Sequence, residues 1–336
     1  MSGKRWTALG IAALLFFVSI ITSVATRPSE NTGADTFSSI WGSEEVFVEK
    51  VIQDGISNRK ILVMEVNGVI QDTGSDVTSI FQSPGYNHRQ FLKMLDQAKE
   101  DNSIQGIVVR VNTPGGGVSE SAEIHKRLVE IQEETEKPIY ISMGSMAASG
   151  GYYIAAPADK IFAAPETITG SIGVIMQGIN YAELAENYGV KFETIKSGPY
   201  KDIMSPTKDM SSEERQILQT MVDNMYNQFV NVIAQGRDMS ESDVRNIADG
   251  RIYDGQQAKE INIVDELGYF EDVIDAMKED YDLGNVKVVQ YTENLGWGSL
   301  FNMNVQSLLR PESEMQMLAR LINQPNSPRL MYLYAE

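Results

Sequence analysis

The sequence predicts an α/β fold in which a parallel β-sheet is wrapped by crossover helices, preceded by one N-terminal transmembrane helix. Three observations predict it. Short β-rich apolar runs alternate with stretches of helical spacing between residues 60 and 163, and strands that alternate with helices pair in parallel through crossovers. Runs such as Gly106-Ile107-Val108-Val109 show no polar alternation, as expected of strands covered on both faces. Lys4 and Arg5 precede Trp6–Thr26, a run without charge that matches the roughly 20 residues needed to cross a bilayer.

In chain order, the basic pair keeps residues 1–5 cytoplasmic. Residues 6–26 then form a single-pass anchor in the cell membrane, and everything after Arg27 lies outside the cytoplasm. Ser23-Val24-Ala25 also fits a small-x-small cleavage site, so a removed signal peptide is the second reading. Residues 27–59 are polar and mixed, and read mostly as a linker. Strands are expected at Ile61–Val66, Gly106–Val111, Pro138–Met143 and Lys160–Ala163. Between them, helices are expected at Asn87–Glu100, Ser119–Glu134 and near Gly150–Ala156. A short strand at Phe192–Ile195 precedes helices at Ser211–Gln235, Glu241–Ala248 and from Gln256. Val286–Tyr291 is a late strand. One domain therefore spans 60–290. The C-terminal segment, 291–336, ends in the apolar Leu330–Tyr334, which either docks or frays.

Composition narrows the chemistry. The chain has 336 residues, no cysteine and 2 histidines, and its 28 Lys+Arg against 46 Asp+Glu leave a net charge of −18. Without cysteine there is no disulfide, thiolate nucleophile or Cys-ligated zinc. An acidic surface argues against a nucleic-acid partner, and 2 histidines cannot make a histidine-rich metal site. No cofactor or metal is expected.

Three loops lie at strand ends, where open α/β sheets place their ligands. In Asn112–Gly117 the triple glycine lets backbone N–H groups approach an anion. No Gly-Lys-Ser/Thr follows, so a phosphate loop has little support, and a plain turn is the alternative. In Ser145–Tyr153, Ser149 sits at a strand-to-helix turn, either as an exposed nucleophile or as a helix cap. The third region joins Thr169–Val174 to Lys196–Asp202. There Lys201 is either a solvated surface lysine or, if desolvated and neutral, a general base. His88 and His125 both read as surface residues outside any Ser–His–Asp order, which leaves the base role to a lysine.

The stretches Val111–Gly117, Ser145–Tyr153, Thr169–Val174, Ser197–Pro206 and Gly250–Ala258 through Val264-Asp265 together resemble the signal peptide peptidase A family. The likeness covers about residues 60–270. It resembles the short, single-copy type of Gram-positive bacteria, on a Clp protease/crotonase-like fold. The resemblance implies a Ser–Lys serine peptidase with Ser149 as nucleophile, Lys201 as general base and Ser171 orienting that lysine. The N–H groups of Gly116 and Gly150 match the oxyanion hole. It further implies a homo-oligomer, an octamer being one expected size, that cleaves remnant signal peptides beside the membrane. The rival readings are a stomatin-operon-type membrane Ser–Lys protease, a crotonase-type acyl-CoA enzyme that needs neither Ser149 nor Lys201, and a non-enzymatic membrane scaffold.

Overall fold

The computed structural model describes residues 47–56, 58–73, 86–293 and 330–334. The chain divides into two compact units. The larger takes in Glu49–Thr292 and Glu314–Glu336, and it carries the sheet and its covering helices. The smaller, Met1–Val48 with Glu293–Ser313, lies almost wholly outside the described residues. So does Trp6–Thr26, and no helix among the described residues is long and apolar enough to cross a membrane.

The main sheet holds β2 (Lys60–Asn67), β3 (Ile104–Thr113), β5 (Ile139–Ala148) and β6 (Lys160–Ala163) side by side. At its ends lie β11 (Lys287–Glu293), with β1 (Phe47–Gln53) beyond it, and β10 (Glu266–Leu267). From β11 to β10 every neighbouring pair is parallel. The apolar runs explain this. Ile61 to Met64 and Ile107 to Val109 are buried on both faces, so the sheet must be covered from both sides.

Helices supply the cover through one apolar stripe each. α1 (His88–Glu100), capped by the Asn87 side chain on Gln90 N, buries Phe91, Leu95 and Ala98. α2 (Val118–Thr135) buries Ile124, Leu128 and Ile131. α8 (Phe270–Asp280) sets Val273, Ile274 and Met277 against Ile61, Val63, Val108, Tyr140 and Phe162. Burying each such aliphatic or aromatic side chain contributes about 1.5–3 kcal/mol.

The expected strands and helices between 60 and 163 are present, with ends shifted by a few residues. β5 runs on to Ala148 rather than stopping at Met143. Its register against β3 shifts between Val111 and Thr113. Asn112 lies at that irregularity, and its Oδ1 accepts from Ser145 Oγ at 2.9 Å and Met146 N at 3.2 Å. Such a break re-aims both strand ends toward the site.

Three differences from expectation stand out. β1 begins inside the expected linker. The expected strand Phe192–Ile195 does not form, since that stretch has no ladder partner among the described residues and leaves Phe192 and Ile195 exposed. Between β8 (Ile175–Met176) and α5 (Ser212–Gly236) only one short helix appears, α4 (Ala182–Asn187). Of the two readings for Leu330–Tyr334 the docked one holds: Leu330–Leu333 forms a strand, β12. Beyond α5 the expected helices form as α6 (Glu241–Ile247) and α7 (Gly255–Glu260).

One buried charge fixes a helix end. Lys137 donates from Nζ to the carbonyls of Ala98 (2.8 Å), Lys99 (2.9 Å) and Asp101 (2.8 Å), at the C-terminus of α1. Helix C-termini leave carbonyls unsatisfied. Lys137→Met therefore strands three acceptors and is expected to lower stability by about 1–3 kcal/mol, read as a fall in the chemical-denaturation midpoint; an unchanged midpoint would show the lysine dispensable.

Candidate active site

The site lies at the carboxyl ends of β3 and β5, as open parallel sheets dictate. Past β3 the chain enters β4 (Gly115–Gly117). Thr113 Oγ1 accepts from Gly115 N at 3.0 Å. Ile70 braces the glycines from one side: its N–H donates to Gly115 O at 2.8 Å, and its carbonyl accepts from Gly117 N at 2.7 Å. A methyl on Gly116 would run into that Ile70 carbonyl. Only glycine fits there.

The other edge of β4 faces β12, antiparallel, with Tyr332 opposite Gly116 and Leu333 opposite Gly115. Tyr334 N donates to Pro114 O at 2.9 Å. Hydrogen-bonded pairs alternate along an antiparallel ladder, so Tyr332 and Gly116 form the next bonded pair and Gly116 N–H points at Tyr332 O. The far edge of β12 pairs with β8, Met331 opposite Ile175. β4 and β8 are thus two rails, and an extended strand lies between them.

Ser149 follows β5 with φ 52° and ψ −113°, and α3 (Gly150–Ala155) begins behind it. Positive φ is costly for a residue with a Cβ, and such strain is held only where surrounding bonds impose it. Here Ser149 N donates to Gly170 O at 2.8 Å, and Ser149 O accepts from Tyr153 N at 2.9 Å. The serine does not cap the helix through its side chain. Its hydroxyl is buried and bonds no other described atom. Gly150 comes next. A methyl there would stand 2.7 Å from Ser121 Oγ, 3.1 Å from Tyr332 O and 3.2 Å from Gly115 Cα. Gly116 and Gly150 therefore converge on one peptide carbonyl, that of Tyr332.

Tyr332 itself fills an aromatic pocket. Its ring stacks on Tyr153 at 4.9 Å and meets Phe229 of α5 at 4.6 Å. Its hydroxyl donates to Met225 O at 3.1 Å. Behind it, His125 packs edge-on against Tyr153 at 5.4 Å.

Ser171 follows β7 (Ile168–Gly170), also at positive φ, 49°. Its N–H donates to Arg251 O at 2.7 Å. Ala148 pairs with Gly170, so Ser149 and Ser171 leave neighbouring strands side by side. Lys201 does not bond them. It is exposed, within turns spanning 198–205, and makes no hydrogen bond or ion pair with either serine among the described residues. The structure thus gathers Ser149, Ser171, Gly116 and Gly150, and shows no bond from Lys201 to them.

The histidines need one correction. His88 is not a surface residue: it is buried, with Nδ1 2.7 Å from Tyr86 Oη and Nε2 2.9 Å from Glu123 Oε2. A polar ring paired at both nitrogens can be buried without penalty. Burial in the wall of the aromatic pocket lowers the pKa of His125. Neither imidazole bonds Ser149. Among the described residues, no group of three His, Asp or Glu gathers as a metal site.

Several working residues carry no signal in the sequence. Ile70 acts through its backbone, which leaves no side-chain signature. Ser121, fully buried, donates to Gly117 O at 2.9 Å and packs on Gly150. The Tyr153–Phe229 pocket joins helices far apart in the chain. Its one local signal is Tyr152-Tyr153, two aromatics directly after the small-residue loop.

An unpartnered serine at a strained strand-to-helix turn, with two glycines meeting at the carbonyl of a bound strand, is the arrangement of a serine peptidase. Comparison with known proteins agrees. Residues 131–284 match the model of peptidase family S49. The chain is 45% identical over 296 residues to the Enterococcus faecium protein named "Putative signal peptide peptidase SppA", covering 87% of this chain and 85% of that one. It is 37% identical to "Putative protease MJ0651" of Methanocaldococcus jannaschii, over 65% of this chain and 70% of the relative. With Protease 4 of Salmonella typhi it shares 36% identity over 64% of this chain but only 33% of that longer protein. The chain belongs to peptidase family S49 and is a signal peptide peptidase-like serine peptidase. Its mixed α/β architecture with a largely parallel sheet fits the Clp/crotonase-like fold of that family.

The close contact at Gly116 gives a direct test. Gly116→Ala must displace either the Ile70 brace or the glycine strand. Losing one oxyanion donor costs about a hundredfold or more in kcat. The expected outcome is that loss in kcat, with KM raised as the strand shifts; a full kcat would show that Gly116 donates nothing to the transition state.

Proposed function

We propose that this chain is a membrane-anchored endopeptidase that cleaves apolar peptides, remnant signal peptides among them, with a Ser149–Lys201 dyad. The observation that carries this reading is β12. It lies as an extended strand between β4 and β8, with one carbonyl beside both glycines. A substrate binding in the same way gains backbone hydrogen bonds on both edges, independent of its sequence. The aromatic pocket that holds Tyr332 then takes a large apolar or aromatic side chain next to the scissile bond.

In this mechanism neutral Lys201 takes the proton from Ser149 Oγ as the oxygen attacks the peptide carbonyl. The N–H groups of Gly116 and Gly150 hold the oxyanion, worth roughly 3–4 kcal/mol each in comparable sites. Lys201 returns its proton to the leaving amine, and water hydrolyses the acyl-enzyme. Ser171, beside Ser149, orients the lysine amine without adding charge.

Lys201 reaches Ser149 from a second copy of the chain. Two features support this. Ser149 Oγ has no partner and Lys201 is exposed without one among the described residues. The stretch leading to Lys201 also exposes Ile179, Leu184, Tyr188, Phe192 and Ile195, apolar side chains that an interface between copies would cover. A homo-oligomer covers it. The uncharged Trp6–Thr26 supports a single-pass anchor with the peptidase outside the cytoplasm, where secretion leaves signal peptides.

Ser149→Ala and Lys201→Ala are each expected to abolish peptide cleavage with the fold retained. Co-expressed, the two variants are expected to recover activity, because a mixed pair carries one complete dyad. No recovery would place both groups in one protomer. The position of β12 makes it a competitor for substrate. Deleting Arg329–Glu336 is expected to lower the apparent KM for a short apolar peptide at unchanged kcat; an unchanged KM would mean the tail leaves the groove at no cost.

A further inference from the structure

The loop that carries Lys201 contains a charge clamp. Asp202, the next residue, is half-buried and receives Lys196 Nζ at 2.8 and 2.9 Å on its two oxygens. Lys208 Nζ reaches the same carboxylate at 2.9 Å. Lys208 also bonds Glu214, a buried carboxylate in the first turn of α5 that accepts from Ser211 N at 3.0 Å. Lys196 donates once more, to Pro199 O at 3.0 Å. The backbone between is a chain of turns: Lys201 N to Gly198 O, Ile203 N to Tyr200 O, and Ser205 N to Asp202 O. Asp202 is thus tied to the residues before the turns, to those after them, and through Lys208 to α5. Asp209, bonded by Asn180, and Arg215 of α5 line a cavity of about 550 Å³ with Met204.

The clamp answers an electrostatic problem. A general-base lysine must be neutral at working pH, yet a carboxylate nearby stabilises its charged form and raises its pKa. Asp202 stands one residue from Lys201. We propose that Lys196 and Lys208 are positioning residues which hold Asp202 away from Lys201 and cancel its charge, so that Lys201 can titrate low enough to serve as base. This inference rests on the reading of Lys201 as the base. Both ammonium groups bond the Asp202 carboxylate and hold it below the usual carboxylate range. Lys201 itself makes no bond to the carboxylate that adjoins it.

Each change has a definite sign. Removing a cation from the clamp leaves net negative charge beside Lys201, raises its pKa and moves the rising limb of the pH–rate profile to higher pH. Removing the carboxylate leaves net positive charge and moves the limb to lower pH. Lys196→Met is the better lysine variant, because it spares the buried Glu214.

The test measures kcat/KM against pH for the full chain with an apolar peptide substrate. Lys196→Met is expected to shift the limb upward by about half a pH unit or more, and Asp202→Asn to shift it downward. Lys196→Met with Asp202→Asn is expected to return near the parent profile. Opposite shifts that cancel cannot come from a merely structural loop, whose variants would lose activity without moving the limb. Unmoved limbs, or two shifts in the same direction, overturn the clamp. Lys201→Ala serves as the separate control: if it keeps activity, the base assignment itself fails, and the clamp with it.

Discussion

Everything in this site depends on backbone meeting backbone with no side chain between. Two loops can meet at one peptide carbonyl only if both come close, and a single Cβ at the meeting point prevents it. Gly115, Gly116 and Gly150 are that meeting point: methyls on them would strike the Tyr332 carbonyl, the Ile70 carbonyl and the Ser121 hydroxyl respectively. The rest of the structure serves to hold this contact. Parallel pairing of β3 with β5 puts both loops at one end of the sheet, and the register shift after Val111 turns them toward each other. Ile70 braces one side, and α2 holds Ser121 against the other. The strain at Ser149 is part of the same arrangement, since its backbone is tied to Gly170 ahead of the helix.

Much of the fold can be read from sequence because its signals are local. Ile61–Val66 and Gly106–Val111 are apolar on nearly every position, which only a doubly covered strand tolerates. Asn87 before an apolar stripe marks a helix start, and it caps Gln90 as such residues do. The short strands are not legible. β4 is three glycines, and β8, β9 (Ile252–Tyr253) and β10 have two residues each, too few to show a period. Phe192–Ile195 fails for the opposite reason. It has strand composition, but composition cannot supply a partner, and none exists within the described residues.

The site divides along the same line. The small-residue loops that hold Ser149, Gly116 and Gly150 are visible at strand ends, but a turn and a helix cap explain them equally well, and only the family resemblance singles out these three residues. His88 misleads because its burial depends on Tyr86 and Glu123, the latter 35 positions away. The pocket formed by Tyr153 and Phe229 is set by packing of α5 on α3, which no spacing rule foresees. Lys201 is the instructive case. Motif order singles it out, yet its own chain leaves it exposed and gives it no partner among the described residues. Its neighbours, by contrast, are tightly engaged. Asp202 is clamped between two lysines, and Glu214 anchors one of them to α5. The loop is constrained on both sides of Lys201, while the amine itself bonds no described residue.

The central question is whether Ser149 is a nucleophile activated by Lys201. The most direct measurement is covalent labelling by a serine-directed phosphonate carrying a short apolar peptide, followed by mass spectrometry of the digested full-length protein. A Ser149–Lys201 dyad predicts one modified residue, Ser149, in the parent chain, and loss of that modification in Lys201→Ala. Modification at another serine, or labelling of Ser149 at an undiminished rate without Lys201, would contradict it.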